Sequence, residues 1–270
     1  MRYETLDYTD SDHIALVTLN RPEKLNALND VLRDELHEVC CAIQANDEIR
    51  AAVFTGAGRG FCSGADLTPA STGSAAPVGQ NDRLDDIGWV GRLATDIYKI
   101  GIPTIAAVNG VAAGAGMSLA LACDLRVGCE ASRFKTVFAE RGLSPDSGMS
   151  FFLPRIVGYS RAADLVFTSR NVDADESYRL ALLDRLVDSK DLLESALQLA
   201  QQMASLPPMA IRSGKRVLQL NQDIEFEHAL RNEILVCLSL ANHPRTRKNS
   251  APLFLKSKSR FLPEISAGSY

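Results

Sequence analysis

Several things are missing from this chain, and each absence removes a class of function. No apolar run reaches the ~18 residues needed to cross a bilayer, so no membrane-spanning helix is expected. The opening residues, MRYETLDYTD, carry no apolar stretch of the kind a secretory leader needs. The closing Gly268-Ser269-Tyr270 is not a peroxisomal address. Positive charge is not in excess: the net charge is −4, so bulk electrostatics recruit neither nucleic acid nor an anionic membrane, and an anionic ligand must be met by local basic residues. Six cysteines, at 40, 41, 62, 123, 129 and 237, form no C-x-x-C, which argues against a zinc knuckle and a thioredoxin-like site. That usage suits a reducing, cytoplasmic compartment, and the adjacent Cys40 and Cys41 read as small core residues. The histidines at 13, 37, 228 and 243 share no metal-ligand spacing, so no metal site is expected.

Nucleotide-binding and serine-hydrolase motifs are missing too. Gly56-x-Gly58 has Phe61 where a dinucleotide fingerprint needs its third glycine, and Gly114-x-Gly116 has Leu119. Gly214-Lys215 lacks the first glycine of a P-loop and is followed by Arg216. In Gly60-Phe61-Cys62-Ser63-Gly64 the serine stands one place off the G-x-S-x-G pattern.

What is present is enough for a large core: 270 residues, 46% of them hydrophobic. Strands are expected at 13–20, 51–55, 104–108 and 124–128. Leu28, Leu32, Leu36, Val39 and Ile43 recur at helical spacing over about 28–45. Further helices are expected near 84–100, 111–122, 158–168, 174–183, 190–205, 208–220 and 223–241, with a mobile loop over 68–82 rich in Pro, Ser, Gly and Ala. Strands alternating with helices, then a helical tail, indicate an α/β class. Pro207-Pro208 marks a boundary between a core over 1–206 and a C-terminal helical region over 207–270.

Two segments stand out chemically: Gly60-Phe-Cys-Ser-Gly-Ala-Asp-Leu67, and Ala106-Ala-Val-Asn-Gly110-Val-Ala-Ala-Gly114-Ala115-Gly116-Met-Ser118 running on to Asp124. Both follow expected strands and place small residues where backbone must approach something closely. Two such bends can aim unpaired N–H groups at one oxygen, although for the second alone tight helix packing is the better explanation of the small residues.

Taken together, and with Asn20-Arg-Pro-Glu-Lys-Leu-Asn-Ala-Leu28, Gly142-Leu-Ser-Pro-Asp146-Ser-Gly148 and Leu153-Pro-Arg-Ile-Val-Gly158, these motifs resemble the enoyl-CoA hydratase/isomerase family, the crotonase superfamily, over about residues 12–240. The resemblance implies a crotonase-like spiral of ββα turns with a C-terminal helical extension serving as an oligomerisation or lid region, assembled as a homotrimer or a dimer of trimers. It implies an acyl-CoA thioester as substrate, with coenzyme A part of that substrate and no separate cofactor. The backbone N–H groups of Ala65 and Ala115 would form the oxyanion hole. Proton removal alpha to a thioester charges the carbonyl oxygen, and each such donor is worth roughly 2.7–4 kcal/mol in a comparable site. CoA and substrate contacts carried over by motif fall on Lys24, Ala27, Ser63, Gly64, Asp66, Leu67, Gly114 and Phe138. Arg21 could meet phosphates, and so could Lys256, Lys258 and Arg260 in the tail, which equally reads as a solvated basic tail.

The resemblance also narrows the chemistry. Family hydratases carry two glutamates around the substrate double bond, one in the helix after the second oxyanion donor and one after the strand ending near Phe134. The matching positions here are Ser118 and Phe138, and neither can shuttle a proton as a carboxylate does. Glu140 lies about 200° round a helix from Phe138 and reads as a solvated charge. That leaves Asp146, whose Ser-Pro-Asp-Ser-Gly setting is turn chemistry or a helix N-cap when read alone. By resemblance to the phenylacetate-pathway isomerase branch, which shifts double bonds and opens ring epoxides to oxepins, it is the proton-transfer residue. Hydratase activity, an aspartate nucleophile as in the family's aromatic dehalogenases, and a silent CoA-binding protein stay open as alternatives.

Overall fold

A computed structural model describes residues 3–67 and 85–241. The expected loop at 68–82 and the basic residues Lys256, Lys258 and Arg260 lie outside the described residues. The chain divides into two compact units, residues 1–215 and 216–270.

The first unit is built on two sheets. Strands β1 (Leu6–Ser11), β2 (Ile14–Leu19), β3 (Ala51–Gly56), β5 (Thr104–Val108), β7 (Leu125–Cys129) and β9 (Arg185–Val187) form a six-stranded sheet in the order β1-β2-β3-β5-β7-β9. Only β1 runs antiparallel to its neighbour. Strands β4 (Gly60–Cys62), β6 (Val111–Ala113) and β8 (Arg133–Lys135) form a second, parallel sheet. Each central strand of the large sheet is thus followed by a short strand in the small one. Helix α2 (Gly88–Tyr98) follows β4 and helix α3 (Ala115–Ala122) follows β6. This repeated ββα unit is the expected spiral.

The large sheet is covered on both faces, which is why its strands read as unbroken apolar runs. Successive side chains alternate faces. Ala52, Phe54, Ala106 and Val108 point into the larger core with helix α1 (Asp30–Ala45), α2 and α3. Ala51, Val53, Ile105, Ala107 and Val127 point the other way, against Leu192, Ala196, Leu199 and Ala200 of α7 (Leu192–Ala204). Helix α1 starts where Asn29 accepts the Leu32 N–H, and buries Leu32, Leu36, Val39, Cys40 and Ile43.

The remaining helices are α4 (Met149–Val157), α5 (Tyr159–Thr168), α6 (Ala174–Arg179) and α8 (Pro208–Leu220). In the second unit, α9 (Phe226–Ala241) is the main described element. No helix among the described residues is long and apolar enough to cross a membrane.

Four local expectations are corrected. Residues 111–122 are not one helix: Val111–Ala113 pairs with β4 and β8, and Gly114 turns the chain into α3. Helix α6 stops at Arg179 rather than near 183, where a turn delivers the buried Leu182 and Leu183 to the core. Cys40 is buried but Cys41 is exposed, because one residue along a helix is a 100° rotation. Helix α4 was not foreseen, because Pro154 sits inside it at the cost of one internal hydrogen bond.

Candidate active site

The small sheet sets the geometry. Strands β4 and β6 are parallel neighbours, with Gly60 opposite Val111 and Cys62 opposite Ala112. The bends that leave their C-terminal ends must therefore lie side by side. Gly64, at φ 95°, lets the first bend press on the second: a Cβ there would stand 2.8 Å from the Ala113 carbonyl and 3.5 Å from the Ala115 nitrogen. A Cβ at Gly116 would stand 2.1 Å from the Cys62 carbonyl, so only glycine lets the first turn of α3 seat against β4.

The direction of the two amides follows from their hydrogen-bonded neighbours. The Leu28 N–H donates to the Gly64 carbonyl (2.8 Å), and the Asp66 N–H donates to the Leu28 carbonyl (3.0 Å). In this parallel bridge Leu28 faces Ala65, so the Ala65 N–H points away from Leu28. Ala115 is the first residue of α3, where a backbone N–H has no partner inside the helix and the helix dipole is positive. Ala115 is buried and Ala65 exposed.

Two asparagines hold the scaffold of these bends. Asn26, fully buried at φ 57°, accepts from the Arg21 N–H and donates to the Ala57 and Gly60 carbonyls. Asn109 donates to the Gly56 and Gly58 carbonyls and accepts from the Gly56 N–H. Both lie in the quoted motifs, and neither was singled out from sequence. For Asn26 the available signal was an asparagine where the chain turns left-handed; Asn109 does not take that conformation and offered no such signal.

The loop over 24–28 packs directly on the first bend. The Ser63 hydroxyl donates to the Lys24 carbonyl (3.3 Å) and the Ser63 N–H to the Leu25 carbonyl (3.0 Å). Ala27 is buried beneath, while the Lys24 side chain is exposed. Lys24, Ser63, Ala65 and Asp66 thus lie on one surface over the buried Ala27 and Gly64, with Leu67 exposed beside it. The Asp66 carboxylate meets the Arg21 guanidinium at 2.9 Å. Arg21 also donates to the Ala27 carbonyl, so it braces the loop rather than standing open for a phosphate.

Phe138 and Gly114 meet the same region from β8. The Gly114 N–H donates to the Lys135 carbonyl (3.0 Å), and Val137, at φ 64°, turns the chain so that Phe138 enters the main core. Glu140 is exposed and pairs with Lys135 at 2.8 Å, as a solvated charge should.

Asp146 is attached to this constellation through α3. The buried Ser118 hydroxyl donates to the Asp146 carbonyl at 3.2 Å. Ser118 lies three residues beyond Ala115, about 4.5 Å along the helix axis. The Asp146 side chain is half-buried, and Ser147, itself buried at φ 50°, donates its hydroxyl to the carboxylate at 2.9 Å. Burial pushes the Asp146 carboxyl above its usual range, and the Ser147 bond opposes that rise. Asp146 does not cap α4: that position belongs to Gly148, and the Asp146 carbonyl accepts the Met149 N–H instead. Beyond it Phe151 and Phe152 stack edge-on at 5.3 Å and meet Tyr98 of α2 at 6.0 and 5.4 Å.

Cys62 sits in the first motif but is no nucleophile, since burial pushes its thiol up to about 12. Among the described residues no cluster of His, Cys, Asp and Glu could hold a metal ion. Ala65 and Ala115 thus lie on adjacent bends, and α3 carries Ser118, which holds the backbone of Asp146, a residue whose carboxyl burial raises above its usual range.

Comparison with known proteins identifies the family. The model of the enoyl-CoA hydratase/isomerase family matches residues 9–260. The chain is 37% identical to the 1,2-epoxyphenylacetyl-CoA isomerase of Escherichia coli (strain K12), covering 73% of this chain and 75% of that protein. It is 31% identical to a 4-chlorobenzoyl coenzyme A dehalogenase of an Arthrobacter species, over 87% of this chain and 84% of that one. Among solved structures, the enoyl-CoA hydratase of Bacillus anthracis superposes with a TM-score of 0.81 at 27% identity, covering 89% of this chain and 92% of that chain. Fold, paired bends and these likenesses lead to one conclusion: the chain belongs to the enoyl-CoA hydratase/isomerase family, whose members act on acyl-CoA thioesters.

Proposed function

We propose that this enzyme is an enoyl-CoA isomerase that moves a proton with one carboxylate, Asp146, while the Ala65 and Ala115 amides hold the thioester oxygen. The observation that carries the reading is the pairing of Asp146 with Ser118. Where family hydratases place a glutamate, Ser118 instead holds the Asp146 backbone. A lone carboxyl is the proton carrier, and burial raises its pKa above the usual carboxylate range, which strengthens it as a base.

In this scheme Asp146 takes a proton from C2 of a 3-enoyl-CoA. Charge moves onto the carbonyl oxygen, where the two amides stabilise the dienolate. Asp146 then returns the proton to C4, giving the conjugated 2-enoyl thioester. One base serves both carbons, so no second carboxylate is required. The same arrangement suits opening of a ring-epoxidised phenylacetyl thioester, in line with the isomerase relative and with the aromatic cluster of Tyr98, Phe151 and Phe152.

Coenzyme A enters as part of the substrate, along the surface made by Lys24, Ala27, Ser63, Gly64 and Leu67, with Asp66 acting there through its grip on Arg21. Gly114 and Phe138 border the acyl side.

A panel of 3-enoyl, 2-enoyl, ring-epoxide and halogenated aromatic acyl-CoA thioesters, followed by ultraviolet absorbance, tests this. The expected result is gain of a conjugated thioester from 3-enoyl substrates and loss of that gain in Asp146→Asn. Hydration of 2-enoyl-CoA alone, or a covalent adduct on Asp146 found by mass spectrometry, would replace the isomerase reading by a hydratase or an aspartate-nucleophile one.

A further inference from the structure

On the outer face of α1 three side chains lie in sequence. The Asp96 carboxylate of α2 meets His37 Nδ1 at 3.0 Å. His37 Nε2 lies 3.7 Å from the Cys41 sulfur, one helical turn on along α1. Asp96 only accepts a hydrogen bond, so it keeps the imidazole proton on Nδ1 and turns the Nε2 lone pair toward the thiol. Cys41 and His37 are exposed, and the Asp96 side chain is 16% exposed.

We infer that Cys41, His37 and Asp96 form a thiol-exchange site on the surface, one that takes small disulfides and holds them as a mixed disulfide on Cys41. The acid, base and nucleophile stand in the order in which such groups cooperate. His37 takes the thiol proton as the sulfur attacks one sulfur of the incoming disulfide. The S–S bond of that molecule breaks, and its other sulfur leaves with the electron pair and receives the proton from His37. Cys41 ends oxidised to the disulfide level, and the leaving group ends reduced to a thiol.

The surroundings favour this chemistry over acyl transfer. Cys41 lies within α1, where backbone N–H groups are spent on helix bonds, so no amides are free to hold the oxyanion that acyl transfer would form. A disulfide needs no such hole. Nor is there a resolving partner on the same helix. Cys40 faces the core, where burial, and after it the Asp96 charge, push its thiol well above the usual range. The adduct therefore stops at the mixed disulfide.

The protein supplies its own control, because Cys237 is also exposed and among the described residues no histidine contact accompanies it. The protein is incubated with oxidised glutathione, and adducts are followed by intact mass and peptide mapping. Cys41 is expected to be labelled at least about tenfold faster than Cys237, a threshold set below the ~10²–10⁴ typical of general-base help. His37→Ala and Asp96→Asn should both bring Cys41 down to the Cys237 rate, the second by releasing the tautomer. Cys41→Ser should abolish the fast adduct and leave acyl-CoA turnover unchanged. Equal labelling of the two cysteines in the unmodified protein, or a Cys41 rate untouched by both His37→Ala and Asp96→Asn, would overturn the inference.

Discussion

The two halves of the candidate site are made differently. The amide pair is made of backbone: Ala65 and Ala115 are placed by adjacent parallel strands and by glycines at 64 and 116 that tolerate no Cβ. The acid half is made of side chains: Asp146 is held by the Ser118 and Ser147 hydroxyls beside an aromatic cluster. The difference teaches where each half is vulnerable. Backbone donors fail by steric intrusion and bring the fold down with them. A side-chain acid fails by chemical change and leaves the fold standing.

The comparison can be broken or sharpened by substitution. The largest effect belongs to Gly116→Val, whose Cβ would collide with the Cys62 carbonyl. It should destabilise the protein by about 3 kcal/mol or more and abolish turnover, read as a fall in Tm and loss of activity together. Asp146→Asn should instead cost about 10²–10⁴ in kcat with the far-ultraviolet spectrum unchanged. It should also stabilise the protein at neutral pH. A carboxyl raised in the folded state contributes stability below its unfolded pKa and loses it as pH rises through the folded value. Asparagine carries no such loss. The stability gain should therefore vanish in acid, as thermal melts across pH would show.

Ala115→Pro comes next. Proline is tolerated at the first helical position but has no N–H, so it deletes one donor and keeps the helix. A fall of about 10²–10³ in kcat with little change in Tm is expected. Ser147→Ala is subtler. Losing the hydroxyl that lowers the Asp146 pKa should move the acid limb of kcat/KM to higher pH, while the plateau falls only modestly. The smallest effect belongs to Glu140→Gln. Its exposed pair with Lys135 should be worth within about 0.5 kcal/mol, and turnover should not change.

Much of the backbone half was legible in the sequence, for the same physical reason that makes it fragile. A donor that must be approached closely demands Gly and Ala, and these leave a visible pattern after a β-rich run. The central strands were legible because burial on both faces demands continuous apolar residues. The edge strand β1 escaped because it is largely exposed and lacks an apolar run, and the rest of what escaped was short or depended on partners. β4, β8 and β9 are three residues each, too short for a period to show. Residues 111–113 carry helix-like composition but are drawn into a strand by β4 and β8. Asn26 and Asn109 act through carbonyls distant in sequence, which no local pattern reveals. The pairing of Arg21 with Asp66 was not visible because the two lie far apart along the chain.

The central claim is that one thioester oxygen is shared by the Ala65 and Ala115 amides. A crystal structure of the Asp146→Asn protein with a bound acyl-CoA tests it most directly. The account predicts the carbonyl oxygen at about 2.7–3.1 Å from both nitrogens, with C2 facing residue 146. A thioester oxygen bonded to other donors, with the acyl chain running away from α3, would contradict it.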